Sequence, residues 1–593
     1  MPQPSSIGDN DTVLPTVITC GAGVVALGGG VIWVAGGLAS LVSGHGWRSA
    51  PFTFPALIGL LRHGPAAYWP GVDRGLVAGI AVALGLVVLT VVVTALVAWA
   101  KTRPGNGDPR RSLARQRDVA PMLPLAAARR AKHLRPSLAE SKPKDIAAGD
   151  AGMTLGRLAN GGEKLLSSWE DVVLAIMAPR SGKTTSIAVP AILDAPGAVL
   201  LTSNKPDGWR ETVALRATAT MQTSWTFDPQ RIVGVEQTWW WNPLAGLRTV
   251  EEANRLAGHF ISTVEGEQRG DVWGPAAKEL LGNLLLAAAL SGKSVVDVYR
   301  WLTDQATPVP RGILAADGQA LLADSLRNTQ DLPPETRGGV YFTAQAACQC
   351  LRDEQITAWV TPPQGVRLPE FDAEAFPTTR QTLYLLSKDG GGSAGPLVAA
   401  LADRVMRAGV KAAEQRGGRL DPPMVAVLDE AANVCRIADL PDLYSHLGSR
   451  GVIPVTILQS YSQAKRVWGE GGAAALWSAA TVKLIGAGID DASFAEDISR
   501  LVGEHEVTTV SRSAGGSKGA GSRTYSTRTQ RILTAAQIRA MRKGSALLLA
   551  TGMRPALLAL MPWHEGPRKE EIAAAALRST QDITARAQAR SAA

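Results

Sequence analysis

The chain predicts a membrane-anchored α/β protein, and three observations carry that prediction. Uncharged stretches run from Thr12 to Gly44 and from Gly75 to Ala100. A short apolar run then feeds a Gly-Lys-Thr turn at 182–184, directly ahead of a helix-like segment. Further along, apolar runs of strand length alternate with amphipathic segments, the pattern of a mostly parallel sheet covered by helices.

The stretch GLVAGIAVALGLVVLTVVVTALVAWA at 75–100 is apolar over a full bilayer thickness and predicts a transmembrane helix. The earlier one, about 16–43, is richer in Gly but long enough to span. No Lys or Arg precedes it to form the charged start of a signal peptide, so it predicts a second span and not a cleaved leader. From Lys101 to Asp145 twelve Lys or Arg face four Asp or Glu, a surplus of eight that nearly accounts for the chain's net +9. By the positive-inside rule this cluster stays cytoplasmic. The expectation is a two-pass protein of the plasma (inner) membrane with both termini cytoplasmic. Residues 1–100 then form a membrane domain with a short external loop at 45–74. Residues 101–150 read as a solvated basic linker able to touch anionic membrane lipids. The four cysteines, Cys20, Cys348, Cys350 and Cys435, lack metal-ligand spacing and read as small buried hydrophobes.

In the cytosolic part the expected strands are Val172–Met177, Ala198–Thr202, Ser224–Phe227, Thr382–Leu386, Met424–Leu428, Val452–Leu458 and Thr481–Ile485. A late pair, Ser545–Ala550 and Ala556–Met561, reads as antiparallel across Thr551-Gly552. Between about 246 and 372 helical periods replace the strand signal, as in WGPAAKELLGNLLLAAAL. This predicts an all-α subdomain inserted into a discontinuous nucleotide-binding domain, 151–245 and 373–565. Trp239-Trp240-Trp241 read as rings packing that insertion against the core, in preference to a base-stacking platform. Residues 512–528, Gly/Ser-rich and basic, read as a mobile loop. Residues 566–593 read as an Ala-rich helix with a loose tail.

The chemistry is expected first at Ala178-Pro179-Arg180-Ser181-Gly182-Lys183-Thr184-Thr185. A strand delivering such a turn into a helix start surrounds phosphates with backbone N–H groups, neutralises them with Lys183 and offers the Thr184 hydroxyl to Mg²⁺. ATP is the expected ligand. Met177 stands where the fuller pattern has its leading Gly. Far downstream, the apolar run Met424–Leu428 ends in Asp429-Glu430. A carboxylate at such a strand end holds the Mg²⁺ shell, Asp429 here, and a following Glu polarises the attacking water, Glu430 here. The next strand ends at Gln459, where an amide can sense the γ-phosphate. Arg450, just before that strand, is the candidate for stabilising transferred phosphate in a neighbouring subunit. The predicted fold class is therefore two amino-terminal transmembrane helices plus a cytosolic α/β RecA-like P-loop ATPase domain with an inserted all-α subdomain.

Taken in order, MAPRSGKTTS, VLLTSNKPDGWRETVALR, TFDP followed by WWWNPL, the helical insertion, and LDEAANVCRIADLPDLYSHLGSRGVIPVTILQSYSQ make the chain resemble the type IV coupling proteins. These are the TraG-like membrane ATPases of conjugation and type IV secretion. The resemblance covers about 150–565, with the membrane part alike in layout only. It implies Lys183 and Thr184 at the nucleotide, Asp429 and Glu430 at Mg²⁺ and water, and Gln459 as sensor. It further implies a homo-hexameric ring, relaxase or relaxosome with single-stranded DNA as partner, and delivery to type IV secretion channel components. Many members have Asp-x-Lys where this chain has Ser203-Asn204-Lys205. Two other readings stand beside it. A double-stranded DNA translocase of the FtsK-like kind would add a winged-helix reader, for which the roughly thirty residues after Met561 are too few. A non-hydrolysing membrane receptor that docks cargo would have no use for the Lys183, Asp429 and Glu430 set.

Overall fold

The computed structural model describes residues 28–51, 53–64, 67–102, 112–159, 161–265, 273–513 and 522–592. The chain divides into two compact units, Met1–Gly107 and Asp108–Ala593. In the first unit the Arg74–Thr102 helix contains, over Arg74–Ala95, the one stretch among the described residues long and apolar enough to cross a membrane. Its two threonines return their hydroxyls to the preceding turn, Thr90 Oγ1 to Leu86 O and Thr94 Oγ1 to Thr90 O, both at 2.7 Å. Polar side chains tied to the backbone in this way leave the helix surface apolar. Gly28–Val42 is a shorter apolar helix. The expected first span begins at about 16, and its residues up to 27 lie outside the described ones.

The second unit is built on an eleven-stranded sheet of order β2-β1-β13-β12-β9-β3-β8-β7-β4-β6-β5. Its strands are β1 Met153–Leu158, β2 Lys164–Ser167, β3 Val173–Ile176, β4 Val199–Ser203, β5 Ser224–Phe227, β6 Thr382–Leu386, β7 Met424–Leu428, β8 Val452–Leu458, β9 Val482–Gly486, β12 Ser545–Ala550 and β13 Ala556–Ala559. The seven strands from β9 to β5 pair in parallel, whereas β12, β13, β1 and β2 add an antiparallel flank. Helices cover both faces of a parallel sheet, so its central strands are almost wholly apolar: VLAI, MVAVL and VIPVTIL are buried at every residue. The β1–β2 hairpin escaped the sequence reading. β1 carries Gly and Arg, and its register shifts between Thr154 and Gly156, which breaks the alternation.

Among the described residues, 246–372 contain six helices of eight residues or more, from Val250–Glu265 to Pro334–Ala347. They share one apolar core with the face of the sheet that carries Leu174, Leu200 and Leu385. Trp239 is the hinge of that core, with ring centroids 5.2 Å from Phe371 and 5.7 Å from Trp359. Trp239 and Trp241 thus pack insertion against sheet, whereas Trp240 is half-buried and joins through its backbone, its N–H donating to Pro369 O at 3.1 Å. A buried polar link adds to this: His259 Nε2 lies 3.2 Å from Asp403 Oδ2, which joins the first inserted helix to the Gly395–Glu414 helix of the core. Cys348, Cys350 and Cys435 are buried and unpaired, and burial pushes the Cys350 thiol up to about 12.

Three expectations are corrected. Residues 112–150 are not a solvated linker: Val119, Met122, Ala127, Ala128 and Ala131 are buried, and Arg135, only 5 % exposed, bonds Asp150 at 2.7 Å and Asp421 at 3.1 Å. Small alanines on one helix face allow close packing that the charge count conceals. Of the segment expected as a mobile loop, 512–513 and 522–528 belong to a two-stranded antiparallel hairpin, β10 Glu504–Ser513 and β11 Ser522–Arg531, and 514–521 lie outside the described residues. Thr, Val and Tyr in the arms favour strands despite the Gly/Ser bias. The carboxy-terminal segment is one helix, Lys569–Ala592, that buries Ile572 and Ala575 against Leu215 and ends with Arg590 Nη1 donating to Gly234 O at 3.1 Å.

Arg216 fastens the sheet's amino-end loops. It is 2 % exposed and donates to Ala195 O, Gly197 O, Arg380 O and Thr382 Oγ1 at 2.8–3.3 Å. Burial pulls its guanidinium down to about 10. Arg216→Met keeps the stem but strands two buried carbonyls, Ala195 O and Gly197 O, at about 1–3 kcal/mol each, so a loss of at least about 2 kcal/mol is expected. Thermal unfolding of the variant against the parent measures it.

Candidate functional site

β3 ends where Met177 N–H donates to Leu458 O at 2.9 Å, and the chain then leaves the sheet. Arg180 and Gly182 adopt left-handed conformations, φ 61° and 91°, which turn the backbone back on itself. Ser181 Oγ donates to Ala178 O at 2.6 Å and Thr185 Oγ1 to Gly182 O at 3.1 Å, so the loop holds its shape through its own hydroxyls. Pro179 and Arg180 lie within the first of these closures, and Lys183 and Thr184 open the following helical segment. The loop therefore presents a concave run of backbone N–H groups at the carboxyl end of a central parallel strand, where open α/β sheets bind ligands.

Met177 fits because its neighbours are small. A Cβ on Gly486 of β9 would come within 2.6 Å of Met177 Cγ, and one on Gly488 within 2.6 Å of Ala178 Cβ. The room that a leading glycine would give inside the loop is supplied from the adjacent strand end.

Sheet order brings the other residues in. β8 lies beside β3, and β7 beside β8, so the ends of both reach the loop. Lys183 Nζ forms a buried ion pair with Glu430 Oε1. Glu430 Oε2 accepts from Gln459 Nε2 at 2.6 Å and from Asn433 Nδ2 at 3.2 Å. Thr184 Oγ1 lies 3.5 Å from Asp429 Oδ2, while Thr202 Oγ1 donates to the Asp429 carbonyl at 3.3 Å. Glu430 itself sits at φ 57°, a strained conformation for a side chain of its size. Lys183, Thr184, Asp429, Glu430 and Gln459 therefore form one cluster. Arg450 does not join it. It stands before the amino end of β8, with Nη2 3.6 Å from Glu414 Oε1 and Nη1 3.4 Å from Gly418 O.

Burial pushes the Asp429 carboxyl up to about 6, against the pull of Lys183, and Glu430 adds to the rise. Its Oδ1 is buried without a partner. An orphaned carboxylate oxygen beside a threonine hydroxyl fits Mg²⁺, which uses one or two protein oxygens and takes phosphates and water for the rest. No group of three or more His, Cys, Asp or Glu suited to a metal occurs among the described residues. Sequence reasoning missed Asn433, three residues after Glu430 on the same turn. It also missed Asp389, whose Oδ2 accepts from Asn204 Nδ2 at 2.9 Å. Asp389 follows β6 and places a carboxylate next to the position where Ser203-Asn204-Lys205 lacks one.

Residues 423–543 match the family model described as the TraM recognition site of TraD and TraG. No curated protein sequence matches the chain. Among solved structures it is similar to the bacterial conjugative coupling protein TrwBdeltaN70 in its unbound form, at 19 % identity and TM-score 0.50, covering 66 % of this chain and 85 % of that one. It also aligns with the plasmid coupling protein TrwB in complex with ADP and Mg²⁺ (19 %, TM-score 0.49, 66 % and 85 % covered). A further alignment is with VirB4 of Thermoanaerobacter pseudethanolicus (13 %, TM-score 0.42, 71 % and 98 % covered). The fold is a large mixed α/β sheet like that of the TrwB structure. With the match over 423–543, it supports the type IV coupling protein family, the resemblance that the ordered motifs carried.

Two predictions follow from the geometry. Gly486→Ala overpacks Met177 and should weaken nucleotide binding by about 1–3 kcal/mol, while Met177→Ala in the same chain restores it. Equilibrium binding of a fluorescent nucleotide to the two single variants and the double variant reads the coupling. The second concerns pH. Because the folded Asp429 carboxyl holds its proton up to about 6, Mg²⁺-dependent binding should weaken as pH falls from 7 to 5, by up to about tenfold per unit. The stability term runs the other way. The folded state binds this proton more readily than the unfolded one, so Asp429 favours folding increasingly as pH drops through 6 towards the unfolded value near 4. Asp429→Asn should flatten both dependences in Mg²⁺ titrations and melting curves recorded across that range.

Proposed function

We propose that the chain is a membrane-anchored hexameric ATPase that couples a relaxase–single-stranded-DNA complex, or a protein effector, to a type IV secretion channel and drives its passage by ATP hydrolysis. The observation that carries the reading is the Lys183–Glu430–Gln459 cluster at the mouth of the Ala178–Thr185 loop. Without nucleotide, the lysine needed by phosphates and the carboxylate needed by water neutralise each other. Phosphates entering the loop offer Lys183 a more highly charged partner. Glu430 is then released towards a water molecule while Gln459 and Asn433 keep its second oxygen in place. Glu430 accepts a proton as the water oxygen attacks the γ-phosphorus and ADP leaves. Mg²⁺ held by Thr184 and Asp429 would neutralise charge on the phosphate oxygens.

In a ring, Arg450 would serve a neighbour's phosphates across a subunit boundary, since its own cluster is out of reach. The match over 423–543 supports relaxosome-related partners. The Arg74–Ala95 stretch supports anchoring in the inner membrane, with a two-pass topology completed by the earlier apolar stretch. The inserted subdomain, 246–372, is assigned to cargo recognition. It supplies none of the cluster, and it displays Leu321 and Phe342 at 85 % and 70 % exposure.

Lys183→Ala should fold and fail to hydrolyse ATP. Glu430→Gln removes the competitor for Lys183 as well as the base, so it should bind ATP at least as tightly as the parent and not turn it over. Nucleotide binding together with phosphate release distinguishes the two, and turnover by either folded variant would overturn the assignment. Leu321→Ala with Phe342→Ala should lower binding of the transfer complex about tenfold and leave basal hydrolysis near the parent's. A folded variant with the reverse pattern would place the subdomain in the motor.

A further inference from the structure

We propose that the folded segment 112–150 presents a docking face for anionic phospholipid headgroups, resting on the membrane-anchored reading above. This segment carries eight Lys or Arg and four Asp or Glu. Three of those charged groups work internally. Arg135 and Asp150 pair with each other, and Asp118 Oδ2 accepts the Arg115 N–H at 2.8 Å. Arg130 is drawn to Glu170 at 3.4 Å, which leaves six cations and two acids, Glu140 and Asp145, to the surface.

Folding gives these charges a fixed arrangement. In the Pro124–Leu134 helix Ala127, Ala128 and Ala131 are buried, so the opposite side faces solvent. Leu125, Arg129 and His133 follow one another at four-residue spacing along that exposed side, and Leu125 is 49 % exposed. The short turns Gln116–Met122 and Pro143–Asp145 pack against the same helix and bring exposed Arg115, Arg117, Lys142 and Lys144 beside it. An apolar residue among cations on a helix face is the composition that settles into the headgroup region of a bilayer.

Chain length agrees. The apolar helix ends at Thr102 and the folded segment is described from Ser112, and the nine residues between reach about 30 Å when fully extended. The segment also packs beside the amino ends of the parallel strands, through Arg130 to Glu170 at 3.4 Å and Arg135 to Asp421 at 3.1 Å. The phosphate loop lies at the carboxyl ends, so headgroups on this face leave the nucleotide site open. Single-stranded nucleic acid is the other polyanion to weigh. It is held by cations interleaved with aromatic rings, and 112–150 contains no Phe, Tyr or Trp.

The test uses the full chain in nanodiscs of neutral phosphatidylcholine and in discs containing about one third phosphatidylglycerol. Amine acetylation is followed by mass spectrometry at Lys142 and Lys144, with exposed Lys388, beyond the carboxyl end of β6, as internal control. Each basic residue at an anionic surface is worth about fivefold in binding, so acetylation of Lys142 and Lys144 should slow about tenfold in the anionic discs with Lys388 unchanged. High salt, or Arg115→Glu with Arg117→Glu and Arg129→Glu, should abolish the protection. Equal rates in the two discs overturn the proposal. Protection produced by a single-stranded oligonucleotide in neutral discs, with none from anionic lipid, overturns it in favour of nucleic acid. A chain that fails to stay in either disc defeats the anchoring reading instead.

Discussion

The buried contact between Lys183 and Glu430 is the constraint around which the site is organised. Both charges are almost entirely removed from water, a state that persists only because each neutralises the other and Gln459 and Asn433 satisfy the remaining carboxylate oxygen. Breaking such a pair by removing one partner costs about 3–5 kcal/mol. A ligand that brings its own negative charge keeps Lys183 paired, and Glu430 retains the Gln459 and Asn433 hydrogen bonds. The strain at Glu430 lies where that change of partner takes place.

The pair depends on the sheet. Its members are 247 residues apart, and the parallel order β3-β8-β7 places their strand ends side by side. The same order puts Gln459 between them and brings Asp389, from the end of β6, to Asn204. The inserted helices interrupt the chain between β5 and β6 without disturbing this order, because both strands pair with each other and the insertion packs on one face. The Lys569–Ala592 helix covers the Asp207–Thr220 helix, where Trp563 Nε1 donates to Glu211 Oε2 at 3.0 Å. This braces the element next to the phosphate loop from outside the sheet.

Departures from a familiar motif are best read through their neighbours. Met177 is an anomaly within its own loop and an ordinary residue once Gly486 and Gly488 are seen beside it. The basic segment 112–150 makes the same point about charge. Its composition describes a solvated linker, whereas its alanines and Arg135 describe a folded surface. Net charge reports what water must screen; burial of small side chains decides whether the backbone is ordered.

The sequence by itself determined the parallel strands, the antiparallel pair that follows them, the helical insertion and the resemblance to type IV coupling proteins. Those features rest on local signals: continuous apolar runs, helical periodicity and a turn whose residues are contiguous. Tertiary structure alone decided which distant side chains meet. Nothing in the order of residues says that Glu430 neutralises Lys183, that Asn433 and Asp389 enter the same rim, or that Arg450 faces away from it. The β1–β2 and β10–β11 hairpins were illegible because Gly, Arg and Ser mask their alternation, and antiparallel pairing at an edge needs less apolar surface than a buried parallel strand. The physical reason is common to all of these. Periodicity encodes what a segment buries, but the partner across a sheet or cleft is chosen by topology and by the need to satisfy buried charge.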